Sequence, residues 1–149
     1  MINRIVFSLL ISITCSSAII AQGSLVQGIP FIQNYGPDTY SGGIQNWAIT
    51  QHPNGLLYVA NNLGLLEYDG HSWRNYAVKN RTKVRSIFID ADNKIYVGSQ
   101  RDFGYFAPND LGQLVYTSLA DSLNSSVRDF DETWKIYGKD GKIYFCTFS

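Results

Sequence analysis

One short phrase occurs three times in this chain, and it limits the folds open to it more than any other feature. It reads Leu57-Tyr58-Val59, Ile95-Tyr96-Val97 and Ile143-Tyr144-Phe145. Each copy follows a tight-turn sequence: Pro53-Asn54-Gly55, Asp92-Asn93 and Asp140-Gly141. The tyrosines stand 38 and then 48 residues apart, in the range of repeat architectures built from one sheet per repeat. Such a sheet cannot bury its own faces, so the phrase predicts neighbours stacked on one another.

Between the copies, short apolar runs are broken every 8 to 12 residues by Gly, Asn, Asp or Pro, the spacing of an all-β protein. Strands are expected at 47–50, 56–60, 64–68 and 72–78, with Asp69-Gly70 as a hairpin turn between the last two. The order repeats at 84–90, 94–98, 104–106 and 113–119, and begins again at 133–138 and 142–148. A polar loop, 121–131, separates the second and third units and has room for one helical turn. Leu56-Leu57-Tyr58-Val59-Ala60 has no polar side, as expected of a strand buried on both faces. A two-sheet sandwich would leave one face in water, so a radial arrangement fits better. The expected fold is therefore all-β: an incomplete β-propeller of about two and a half four-stranded blades. Its segments are 22–43 (with 28–35 as a candidate outer strand), 44–82 as the first blade, 83–131 as the second with its loop, and 132–149 as a truncated third.

Residues 1–21 read as a secretory signal peptide, with Arg4 in a short basic start, an apolar stretch over 5–20 and small Ala21 at the cleavage site. The apolar run is shorter than the roughly 20 residues of a membrane span. Lysine plus arginine equal aspartate plus glutamate at 12 each, which argues against the basic stripe of a nucleic-acid binder. Charged residues make up 16% and aromatics 14%, a balance suited to sheets packed on both faces. Cys146, in an apolar run, is expected to be a small buried side chain.

Few residues suggest chemistry. His52 and His71 each adjoin a turn and read as solvated, with no metal ligands at suitable spacing. Asp90-Ala91-Asp92-Asn93 starts like a calcium loop, but Ile95 and Arg101 stand where Gly and Glu are required, so it reads as a hairpin turn. Asp129, Asp131 and Glu132 are carboxylates in a loop, where charge is normally solvated. Asp121-Ser122-Leu123 resembles a short bacterial O-glycosylation acceptor. No catalytic, cofactor or metal residues are assigned. The ligand-binding candidates are Trp47, Trp73, Tyr105 and Trp134, whose flat faces suit stacking on sugars or peptides, with Arg101 as a polar companion. The competing reading of these aromatics is packing between sheets.

Gln45-Asn46-Trp47 followed by the run from Tyr58-Val59-Ala60-Asn61-Asn62-Leu63-Gly64 to Trp73 resembles the opening blade of bacterial two-component regulator propeller proteins. Ile95-Tyr96-Val97-Gly98-Ser99-Gln100-Arg101-Asp102-Phe103-Gly104-Tyr105-Phe106 and Gly112-Gln113-Leu114-Val115-Tyr116 are similar to their second blade. The likeness covers about residues 28–148. It implies the N-terminal part of an extracytoplasmic sensor on the periplasmic side of the inner membrane. In that family a triple-tyrosine domain, a transmembrane helix and a histidine kinase or DNA-binding output follow the propeller. The partners so implied are an extracytoplasmic ligand such as a glycan, and a second copy in the full-length protein, with no nucleic acid on this segment. The alternative is a secreted propeller that binds or cleaves carbohydrate.

Overall fold

The computed structural model describes residues 28 and 30–148. The signal-peptide expectation, on residues 1–21, lies outside the described residues. Up to Gln33, the described residues take no regular structure. The candidate outer strand at 28–35 is therefore corrected: none of its described residues is a strand. Tyr35 is used instead for aromatic packing, its ring centroid 5.3 Å from that of Tyr68 and 5.5 Å from that of Trp73.

Residues 34–148 belong to one compact unit. After a single helical turn, α1 (Pro37–Tyr40), it consists of β-strands. β1 (Asn46–Gln51), β2 (Leu57–Asn61), β3 (Gly64–Tyr68) and β4 (Trp73–Tyr76) pair in chain order as one antiparallel sheet. β5 (Val84–Ile89), β6 (Ile95–Ser99), β7 (Asp102–Pro108) and β8 (Leu114–Ser118) form a second sheet with the same order. β9 (Thr133–Lys139) and β10 (Lys142–Thr147) form a hairpin. The expected all-β class and four-strand repeat are present. The polar loop holds two short 3-10 turns, Ala120–Ser122 and Ser125–Val127, where one helical turn was expected.

The turns follow from local chemistry. Asp140 and Gly141 both take positive φ (51° and 71°), as a tight two-residue hairpin needs. The Asp90 carboxylate accepts the Asp92 and Lys94 backbone N–H groups at 2.9 Å each, so Asp90 to Asn93 is the hairpin turn expected rather than an ion loop. Asp69 does the same for His71 and Ser72.

Each sheet stacks on the next through its first strands: β1 and β2 lie against β5, and β5 and β6 against β9. Tyr58, Ala60 and Leu65 of the first sheet pack against Val84, Ile95, Val97 and Phe106 of the second. On the other side of the first sheet, Val59 and Leu66 are covered by Tyr40, with Tyr35 and Trp73 around them. β2 and β3 are thus buried on both faces, which explains their unbroken apolar sequence. Each fully buried Leu contributes about 2 kcal/mol. Phe145 of the hairpin stacks on Phe103 at 4.3 Å and meets Tyr96 edge-on at 6.2 Å.

Cys146 is exposed, against expectation. Its register explains this. Cys146, Gly98 and Ala60 occupy the same place in their repeats, and Gly98 and Ala60 face the sheet that follows. Among the described residues no further sheet packs on this face of the hairpin, and Cys146 lies exposed on it.

Candidate ligand-binding site

The first strand of each unit carries the same defect. On β1 the pairing steps from Asn46–Asn61 to Ala48–Ala60, leaving Trp47 as an extra residue. On β5 it steps from Val84–Ser99 to Ser86–Gly98, leaving Arg85. On β9 it steps from Thr133–Thr147 to Lys135–Cys146, leaving Trp134. A bulge of this kind re-aims the side chain of the extra residue out of the alternating pattern. Because the first strands lie side by side, the three re-aimed side chains meet. The Arg85 guanidinium carbon sits 3.9 Å from the centre of the Trp47 ring and 4.1 Å from that of Trp134. The two indoles are 6.3 Å apart and nearly perpendicular, so they form a corner that holds the cation.

Neighbouring groups fix the corner. Asn61, fully buried at the end of β2, donates to the Gly43 carbonyl and the Asn46 side chain, both at 2.7 Å, and so anchors the start of β1. Trp47 Nε1 donates to Asn62 Oδ1 at 2.7 Å, which fixes the ring's rotation. Arg85 Nη2 donates to Glu132 Oε1 at 3.0 Å, and Lys83 is ion-paired with the same carboxylate. Burial pushes the Glu132 carboxyl up, but hydrogen bonds and charge from Arg85 and Lys83 more than reverse this and hold it below its ordinary value. The Arg85 side chain is only 9% exposed, and its Nη1 is buried without a hydrogen-bond partner. Both tryptophans remain 38% exposed, leaving flat apolar surface open beside a buried cation.

Compared with known proteins, the chain matches no family model, and no curated protein is significantly similar to it.

The five sequence candidates therefore separate. Trp47 and Trp134 come together. Trp73 lies on the outer strand β4, stacked on Tyr68 at 4.5 Å and touching Tyr35 and Tyr40, so it serves packing. Tyr105 pairs with Tyr96 across β6 and β7 beneath the Lys94 ammonium. Arg101 sits at the β6–β7 turn with φ of 56°, its side chain 3.7 Å from Asp129. Glu132 is a correction, since it is buried and committed to two cations rather than solvated, whereas Asp129 is 93% exposed. His52 is half-buried against Tyr58, with its Nδ1 accepting the Asn54 N–H at 3.2 Å. Among the described residues, no three of His, Cys, Asp and Glu gather as metal ligands would.

Sequence reasoning missed Arg85, yet a signal for it exists. Counting back from the repeated tyrosine reaches Trp47 after 11 residues, Arg85 after 11 and Trp134 after 10. Aligning the repeats on that tyrosine places Trp47 and Arg85 in one column and Trp134 one residue from it.

A cavity of about 1120 Å3 opens at the opposite ends of the first two sheets, lined by His52, Tyr58, Glu67, Arg74, Tyr76 and Lys94 among others. Its carboxylate is internally satisfied: Glu67 accepts from Tyr58 at 2.8 Å, Arg74 at 2.7 Å and Tyr76 at 3.3 Å. Burial, and then the bond to Glu67, push the Tyr58 phenol well above its ordinary value, so that tyrosine is locked as a donor. This cluster reads as a structural tie between strands.

Proposed function

We propose that this chain is the N-terminal part of an extracytoplasmic β-propeller that senses a ligand for a membrane-anchored bacterial regulator of two-component type. The observation that carries this reading is the convergence of Trp47, Arg85 and Trp134 from one bulge repeated in successive sheets. Sheets stacked through their first strands are what a propeller requires around its axis. A binding surface assembled from several sheets responds to how those sheets sit together. A ligand that prefers one arrangement shifts the population toward it. The exposed indole faces suit a glycan.

The alternative of a secreted carbohydrate-binding propeller draws on the same tryptophans. A carbohydrate-cleaving one would need two free facing carboxylates, and Glu132 is committed to Arg85 and Lys83.

The test is intrinsic tryptophan emission of the intact protein, titrated with a panel of oligosaccharides. At least one should shift the spectrum saturably. The response should be lost in Trp47→Ala and Trp134→Ala and kept in Trp73→Phe. A response that survives loss of both bulge tryptophans would place the site elsewhere. A transcriptional reporter in the native host that ignores the same sugar would remove the regulatory half of the proposal.

A further inference from the structure

The charges around the bulge corner narrow the ligand class, an inference that rests on the binding-site reading above. The connection from β4 to β5 and the start of β5 carry Lys79, Arg81, Lys83 and Arg85 within seven residues. The even overall charge hides this clustering. Glu132 answers both Lys83 and Arg85, so the trio keeps one positive charge beyond what its carboxylate neutralises. A second trio repeats the ratio where this connection meets the loop between β8 and β9: Asp121 pairs with Lys79 at 2.5 Å and with Arg128 at 2.6 Å. Arg81 is exposed and has no ion pair among the described residues. Two other carboxylates nearby, Asp129 and Asp131, are exposed to water, where they oppose this excess only weakly.

The second, independent observation is Arg85 itself. A guanidinium nine-tenths buried should have its N–H groups satisfied, yet Nη1 has no partner. A buried donor without an acceptor costs about 1–3 kcal/mol, more when charged. The site therefore favours a ligand that brings an acceptor with negative charge. The Arg85 fork itself is filled by Glu132, so a carboxylate is favoured over a hydroxyl by its charge, and the flanking indoles ask for a flat CH-rich ring beside it.

We infer that the ligand is an acidic saccharide of the uronic-acid class, its carboxylate drawn to Lys83 and the uncompensated charge it shares with Arg85, and its ring lying on the exposed face of Trp47 or Trp134.

The test uses the intact protein with oligogalacturonate and with its methyl ester, which keeps every ring and removes the charge. Calorimetric titration should show the acid binding at least tenfold tighter than the ester. That ratio should shrink as salt rises from about 0.05 to about 0.5 M, because exposed charge pairs are screened. Lys83→Gln should lower the ratio severalfold, and Arg85→Gln should lower it further by removing the second cation. If either variant fails to fold, the acid-to-ester ratio of the native protein still decides. Equal binding of acid and ester, lost in Trp47→Ala, would overturn the acidic class while leaving the sugar-binding surface standing. Binding of neither by calorimetry, with no emission change for any neutral oligosaccharide, would overturn both. Equal competition by poly-glutamate would overturn the saccharide and point to an acidic polypeptide.

Discussion

Arg85 and Glu132 form a buried charge pair in which each partner protects the other. Removing one leaves an uncompensated ion where water cannot reach it, at a cost of about 3 kcal/mol. Glu132→Gln is therefore expected to lower the urea-unfolding free energy by about that much at pH 7, since Arg85 stays buried. The pH dependence follows from the depressed carboxyl. Its contribution is complete above the unfolded value near 4.5 and fades as pH falls through the lower folded value. Native protein and variant should then differ fully at neutral pH and converge in acid, when unfolding is followed across pH 7 to 3. A constant gap across that range would mean the carboxylate contributes nothing through its charge. Arg85 was illegible as a single residue because Lys83-Val84-Arg85-Ser86 looks like an ordinary polar lead-in to a strand. Its partner Glu132 looked like one more loop acid for the same reason.

At the scale of the element, the bulge and the close packing beside it belong together. Gly98 opposes the bulge on β5, and a Cβ there would come within 2.7 Å of the Thr133 backbone oxygen and 2.5 Å of Ser86 Oγ. Gly98→Ala should separate β5 and β6 from β9 and cost about 2 kcal/mol, read as a lower denaturation midpoint. In the first sheet the same position is Ala60, fully buried, so a Cβ is accommodated there. An unchanged midpoint would show that the third unit is only loosely held. The strands themselves were legible, because Pro-Asn-Gly, Asp-Gly and Asp-Asn turns delimit them with little ambiguity. The bulge was not, since one unpaired residue leaves no trace in an apolar pattern. Only comparison between the repeats exposes it.

Across the whole molecule, one repeated residue meets three environments. Tyr58 is 3% exposed between the first and second sheets, Tyr96 is half-buried against Phe145, and Tyr144 is 49% exposed. The cost of truncation should follow this gradient in the chain as described. Tyr58→Ala is expected to destabilise by about 3 kcal/mol and Tyr144→Ala by no more than about 0.5 kcal/mol. Chemical denaturation of the two variants checks this, and equal costs would mean that stacking between sheets does not set stability. The all-β class and the four-strand order were readable from sequence because each unit repeats its own local rules. The convergence of Trp47 with Trp134 was not, because it depends on how separate sheets pack.

The extra residue at each bulge makes no ladder pair, so strand register does not fix its identity. A lineage could exchange Trp47, Trp134, or Arg85 together with its partner Glu132, while every strand kept its register. Chains of this kind could then diverge quickly in what they recognise while remaining nearly superimposable in backbone. The positions outside the strand ladder would carry most of the difference between one protein and the next.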